Sequence, residues 1–327
     1  MAHSPTNILV LHAGALGDCV LALHFISAIR KTLGDSRVTI AARSSIVHWA
    51  KRHALIDEAR SIEEIGTHYL YSPVGDLPEQ TARFLRGFDR VVSFLGGRTE
   101  IVSKRLAQVL GREVLAIDPR PTTGLKTHIV GQWVDQVRSY DLDIDASSFA
   151  GIEIRERRAL REQLCLRIGA RKDRIVLCHP GSGGLAKCCP LEALERLVAA
   201  KRAQGWSAAW MIGPDELERF GSQYAQRLER TAPVLYEESV ETAADLVCGA
   251  DAFVGNDAGM THVAALARVP TIALFGPTDP RIWTPLGRRC SVMHFPEPTE
   301  PIVEWVQGVV SRLDILQRNA APDCNAA

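Results

Sequence analysis

The chain reads as an α/β protein of two similar halves, each a parallel sheet with crossover helices, with a cleft between them. Three observations predict this. Short apolar strands alternate with helical segments along nearly all of the 327 residues, the pattern of parallel strands joined by crossover helices. An acidic, small-residue stretch from Asp141 to Gly151 interrupts the alternation, which then begins again, so it reads as a linker. Glycine-bearing turns in both halves follow apolar strands, at the carboxyl ends where open parallel sheets bind ligands. The halves are expected over residues 1–145 and 152–318, with 319–327 a disordered tail.

In the first half, Asn7 to His12 is a compact buried strand. The turn Ala13-Gly14-Ala15-Leu16-Gly17-Asp18 leads into a helix that ends at Gly34-Asp35, with Asp18 suited to capping its start. Strands follow at Arg37–Ala42, near residues 58–62, at Arg90–Leu95 and at Glu113–Ile117. Helices are expected over Ser44–His53, up to Gly87, over Thr99–Leu110 and over Thr127–Tyr140, whereas the aromatic, Gly/Pro-rich text from Gly66 to Pro78 reads as loop.

In the second half, a helix within Ile152–Ile168 precedes the strand Arg174–Cys178. Pro190–Gln204 is a helix with proline in its first turn, Ser207–Ile212 a strand and Asp215–Arg230 one helix. Val234-Leu235 is a short strand and Ser239–Cys248 a helix. Ala252-Phe253-Val254 is a buried strand that stops at Gly255-Asn256-Asp257, with Asp257 as N-cap of the next helix. Thr271–Phe275 is a strand, and Thr299 to about Gln317 the last helix.

Composition narrows the function. Hydrophobic residues at 46% and charged ones at 23% are globular values, and acidic and basic side chains balance at 38 each. A nucleic-acid partner is not expected, and a phosphate-bearing one would have to be met by a local site. No apolar run reaches membrane-span length and no signal-peptide pattern precedes the first strand, so a cytoplasmic protein is expected. The eight cysteines contain no CxxC pair and read as reduced thiols; Cys188-Cys189 alone is weak evidence for a metal.

Two turns carry the chemistry. His179-Pro180-Gly181-Ser182-Gly183-Gly184 follows a strand and brings small residues, a hydroxyl and, at Lys187, a positive charge together. It lacks the Walker pattern, and Gly14-Ala15-Leu16-Gly17-Asp18 is not a dinucleotide fingerprint, so neither a P-loop NTPase nor a nicotinamide dehydrogenase is expected. Asp257-Ala258-Gly259-Met260-Thr261-His262 opens a helix after a strand, where unpaired N–H groups and the helix dipole suit a diphosphate.

HPGSG followed by Lys and Pro, GNDAGMTHVAALARVPTIALFGPTDPRIW, and the N-terminal GALGDCVLALHFISAIR resemble glycosyltransferase family 9, the ADP-heptose lipopolysaccharide heptosyltransferases and their relatives. The resemblance covers both halves and implies the GT-B architecture of two Rossmann-like domains, an acceptor-side one first and a nucleotide-sugar donor domain second. It implies an inverting transfer from a nucleotide diphosphate sugar, ADP-heptose favoured, to a glycan or glycolipid acceptor, with no metal or other cofactor. Asp18 matches the base that takes the acceptor proton. Ser182, Gly183, Lys187, Asp257, Ala258, Gly259 and Met260 match donor-phosphate positions, His262 the histidine of that turn, and Glu216 a position near the ribose. A lipopolysaccharide-type acceptor would bring the enzyme to the inner face of a membrane.

The chain departs from the family pattern at four places. Cys188-Cys189 stands where an aromatic residue is usual before Pro190, His12 where Arg is common, Leu23-His24 where Thr-Pro is common, and Ala258 where a Ser or Thr hydroxyl often lies. A non-catalytic nucleotide-sugar binding protein and a nucleotide-sugar epimerase are therefore the alternatives. The acceptor is expected on the first half, where Arg43, His68, Tyr69, Tyr71, Arg98 and Lys104 stand in or near loops and helix starts.

Overall fold

The computed structural model describes residues 5–72, 75–97, 99–140, 142, 144, 151–170, 174–297 and 299–318. Arg98, most of the expected linker and the tail 319–327 lie outside them. The chain divides into two compact units, residues 1–149 and 150–327.

The first unit runs β1 (Thr6–His12), α1 (Leu16–Leu33), β2 (Ser36–Ala42), α2 (Ile46–Arg52), β3 (Glu58–Ser61), α3 (Glu79–Arg86), β4 (Arg90–Ser93), α4 (Ile101–Leu110), β5 (Leu115–Ala116) and α5 (Ile129–Arg138). Its five strands are parallel in the order β3-β2-β1-β4-β5. Val10 sits between Ile40 and Val92 in register, which buries the centre of the sheet on both faces. Trp133 of α5 is fully buried and meets Phe25 and Phe94 edge-on. The stretch expected as loop from Gly66 holds a 3₁₀ turn, Thr67–Tyr71, pinned where the Thr67 hydroxyl donates to the Ile62 carbonyl at 3.1 Å.

The second unit runs α6 (Arg157–Ile168), β6 (Ile175–His179), α7 (Leu191–Ala203), β7 (Ser207–Ile212), α8 (Pro214–Phe220), α9 (Ser222–Glu229), β8 (Val234–Tyr236), α10 (Val240–Gly249), β9 (Ala252–Asn256), α11 (Gly259–Leu266), β10 (Thr271–Phe275), α12 (Pro280–Trp283), β11 (Cys290–His294) and α13 (Ile302–Arg318). Its six strands are parallel in the order β11-β10-β9-β6-β7-β8. The single helix expected over 215–230 is two, broken at Gly221, whose φ of 73° no helix residue adopts. Strand β11 and the short α12 are additions to the expected element list.

Both sheets reverse direction of growth at their middle, between β1 and β4 in one and β6 and β9 in the other. These are the topological switch points, and loops leaving the carboxyl ends of the two flanking strands form the ligand crevice of such a sheet. In the second unit those loops are His179–Gly184 and Asn256–Gly259, the two turns singled out from the sequence.

Candidate functional site

Strand register brings the two turns of the second unit together. His179 of β6 pairs with Gly255 of β9, so the next residues, Pro180 and Asn256, leave the sheet side by side. Asn256 is fully buried and spends its whole amide there. Its Nδ2 donates to the carbonyls of Pro180 at 2.9 Å and Gly181 at 3.1 Å, while its Oδ1 accepts from the Cys189 N–H at 3.0 Å. The Ser182 hydroxyl adds a second tie, donating to the Asp257 carbonyl at 2.7 Å. Thr261 closes the set by donating to the Asn256 carbonyl at 2.6 Å. Peptide groups that would otherwise be buried without partners are thus satisfied by side chains. Ser182 is therefore a tie between turns; its proton is committed away from any phosphate.

Asp257 does not cap the next helix, as its residue type led us to expect. Ala258 is the N-cap and makes no side-chain cap bond, and the Asp257 carboxylate turns instead to Lys187, with Nζ at 2.9 Å. An ion pair to a buried carboxylate outcompetes the smaller gain of a cap. The first-turn N–H groups of Gly259 and Met260 are ones an α-helix cannot satisfy internally, and Ala258 has no hydroxyl to cap the helix start. Met260 and His262 are buried on the inner side of this turn, and Ala258 and Gly259 are half-buried at its mouth.

Glu216 is buried at the start of α8, where Oε2 accepts from the Gly213 N–H at 2.7 Å. Its other oxygen lies 3.9 Å from His179 Nε2. A Cβ at residue 181 would stand 1.8 Å from that oxygen, so glycine at 181 is required by the protein itself. At Gly183 and Gly184 a Cβ would meet nothing within 4 Å. Packing does not explain those two glycines, and the bare backbone there has room for close approach. Burial pushes the His179 imidazole below its usual range, with the Glu216 carboxylate opposing, so it is neutral near pH 7. The exposed Arg219 guanidinium reaches the Ser182 carbonyl and adds a second cation beside Lys187.

The Cys188-Cys189 departure has a local explanation. Cys189 is buried, its N–H belongs to Asn256 and its thiol is pushed up to about 12 by burial; Cys188 Sγ sits 3.5 Å from the Gly184 carbonyl. Both are packed, protonated thiols.

In the first unit, Asp18 is not an N-cap but the third residue of α1, its Oδ2 accepting from the Ala15 N–H at 3.3 Å. His12 lies beneath it at the carboxyl end of β1, buried against Phe94. Its Nδ1 accepts from the Gly14 N–H at 3.2 Å and lies 3.1 Å from the Cys19 thiol. Burial lowers the His12 pKa to about 4. The imidazole replaces the arginine common at this position with a neutral group that shapes the turn below Asp18. Among the residues expected to meet an acceptor, Arg43 faces Glu63 at 3.5 Å, Tyr71 is exposed, the His68 ring lies tilted against Tyr69 and Lys104 is exposed on α4. Sequence reasoning missed a cluster beside them, in which Arg120 bridges Glu100 at 2.6 Å and Asp118 at 2.8 Å.

The structure thus gathers Ser182, Gly183, Lys187, Asp257, Ala258 and Gly259 at one switch point, with Glu216 beside them through His179, and keeps Asp18 in the other unit. The residues missed are Asn256 and Arg219, while Gly181, Thr261 and His12 were named in the sequence without the contacts they make. The available signal for Asn256 was an amide ending a wholly apolar strand, which reads equally as a turn residue.

The model of the family described as glycosyltransferase family 9 (heptosyltransferase) matches residues 114–306, more than half of the chain. Lipooligosaccharide heptosyltransferase 2 of Haemophilus influenzae is 30% identical over 128 residues, 38% of this chain and 37% of that protein. Lipopolysaccharide heptosyltransferase 1 of Pseudomonas aeruginosa is 40% identical over 116 residues, 35% of this chain and 32% of that protein. The chain thus aligns with about a third of the length of these curated relatives. Among solved structures, a glycosyltransferase of family 9 from Veillonella parvula superposes with a TM-score of 0.73 at 18% identity, covering 98% of this chain and 99% of that one. The ADP-heptose lipopolysaccharide heptosyltransferase II of Escherichia coli gives 0.70 at 16% identity, covering 97% and 100%. At these identities the likeness is one of fold.

Two outcomes are expected of the site as built. Asn256→Asp keeps the shape but sets a carboxylate oxygen against two carbonyls, and should cost about 2–4 kcal/mol in urea unfolding; an unchanged midpoint would show that the amide ties nothing. A buried histidine whose pKa falls from 6.5 to about 4 adds stability above pH 6.5 that is lost as pH drops toward 4. That loss amounts to about 3 kcal/mol. His12→Gln should flatten the acid limb of a stability–pH curve by one proton; a limb of equal slope in the variant would contradict a neutral, buried His12.

Proposed function

Because the chain belongs to glycosyltransferase family 9, we propose that it transfers a sugar from a nucleotide diphosphate donor to an acceptor hydroxyl, with inversion and without a metal. The observation that carries this reading is the pair of turns held edge to edge by Asn256, with Lys187, Arg219 and the uncapped start of α11 beside them. Such a site offers a diphosphate backbone N–H donors already oriented and two cations within reach.

In the proposed step the acceptor oxygen attacks the anomeric carbon and its proton passes to the Asp18 carboxylate. The bond from that carbon to the donor's phosphate oxygen breaks, and the electron pair leaves with the diphosphate. Donors at the second unit's turns stabilise the charge that develops on it, as preorganised dipoles do. Lys187 already pairs with Asp257, so its role is to exchange a carboxylate for a phosphate partner as the leaving group gathers charge. Asp18 is half-buried, with Oδ2 accepting the Ala15 N–H at 3.3 Å, and a carboxylate has oxygen lone pairs with which to take a proton. The donor is proposed to be ADP-heptose and the acceptor of lipopolysaccharide type, in line with the relatives named above, one of which acts from ADP-heptose by its description. Work at the inner face of a membrane would follow from such an acceptor; among the described residues no helix is long and apolar enough to cross a membrane.

Calorimetry with ADP and ADP-heptose, paired with a transfer assay, tests the reading. Lys187→Ala should weaken ADP binding roughly tenfold to a hundredfold. Asp18→Asn should leave that affinity unchanged and cut transfer by about a hundredfold or more. Retained turnover in Asp18→Asn would remove it as the base, and binding without turnover in the wild type would favour a non-catalytic binding protein.

A further inference from the structure

The second unit has another basic feature, at the opposite edge of its sheet from the paired turns. A cavity of about 780 Å³ opens at the amino ends of β6, β9, β10 and β11, lined by Arg157, Arg161, Arg174, Arg289 and Arg318. Strand entry explains the gathering: Arg174 precedes β6, Asp251 precedes β9, Arg289 precedes β11, and Arg318 ends α13. Two carboxylates share the lining and both are already engaged. Asp251 pairs with Arg161 and accepts the Ile175 N–H at 2.7 Å, and Asp314 turns to Lys201 at 3.2 Å. Among the described residues no carboxylate lies within ion-pair distance of Arg157, Arg174, Arg289 or Arg318. Arg157 donates Nε to the Cys248 carbonyl at 3.0 Å, while its Nη2 is buried with no hydrogen-bond partner among the described residues.

Like charges gathered in a concave, partly desolvated place repel, and a buried guanidinium nitrogen without an acceptor adds a further cost. A protein with equal numbers of acidic and basic side chains has no overall excess that would account for such a cluster. We propose that this cavity is a second anion site, distinct from the paired turns, which binds a small soluble molecule carrying two or more phosphate groups. Guanidinium forks match phosphate oxygens bidentately, and the volume falls in the range of small-molecule sites. Burial chiefly disfavours the charged form of Arg157, with Arg289 and Arg161 adding to it and Cys248 and Asp251 opposing, and an anion would strengthen the opposing side. Trp206 in the lining is already covered by the Lys201 ammonium, 3.9 Å from its ring centre, so recognition rests on charge and not on ring stacking.

Pyrophosphate is the probe. Calorimetric titration of the full chain at constant ionic strength should show binding that survives Lys187→Ala. The same binding should weaken roughly tenfold for each arginine lost in Arg174→Gln and Arg289→Gln. Arg174 and Arg318 are exposed, so the Arg174→Gln/Arg318→Gln pair spares the core, and it should show the same loss with an unchanged melting curve without ligand. Binding abolished by Lys187→Ala and untouched by the arginine variants would overturn the proposal, as would heats no larger than those from sodium chloride. Capture on phosphatidylglycerol vesicles without any response to pyrophosphate would overturn it in favour of a lipid surface.

Discussion

One buried amide organises the second unit. Asn256 ends β9 at a point where two loops leave adjacent parallel strands, and the Pro180 and Gly181 carbonyls lie beyond the β6–β9 ladder. By donating to Pro180 and Gly181 and accepting from Cys189, it stands in for the missing ladder and fixes the distance between the loops. Everything that qualifies the place as a phosphate site depends on that spacing. The Ser182 tie, the Lys187–Asp257 pair and the α11 start all lie within a few residues of the clamp. A buried polar network fully satisfied in this way is rigid, and rigidity is what preorganised donors need.

The electrostatics are more restrained than a row of basic residues would give. Lys187 is paired, His179 is held neutral by burial, and Glu216 contributes a carboxylate to the floor of the site. Beside them stand the exposed Arg219 and the uncapped start of α11. For the proposed diphosphate, a helix start acts only at short range, since its dipole falls off within about one turn. The contrast with the arginine-lined cavity at the other edge of the same sheet is physical: several guanidinium groups there have no carboxylate partner among the described residues. One place is built for geometry and the other for charge.

Much of this was legible in the sequence. Fully buried strands such as Ser207–Ile212 and Thr271–Phe275 announce themselves as apolar runs, and the glycine turns after β6 and β9 were visible as turns. Strand β11 was not, because Cys290–His294 is a half-buried edge strand with mixed polarity. The break at Gly221 was hidden by helical spacing on both sides of it. Asp257 and Asp18 were each read as caps by residue type, yet one answers to Lys187, 70 residues away, and the other serves the third position of its helix. Local propensity cannot see a partner brought by register, and the same reason hid Asn256. Ala258, a lost hydroxyl in the sequence, proved informative in three dimensions, since it leaves the start of α11 uncapped.

The central claim is that the paired turns hold a nucleotide diphosphate through their backbone. It is tested most directly by following individual amide N–H groups by NMR while ADP is added. The account predicts that the amides of Gly183, Gly184, Gly259 and Met260 shift and become protected from exchange together, at one common affinity. Saturable ADP binding that leaves those four amides unmoved would contradict it.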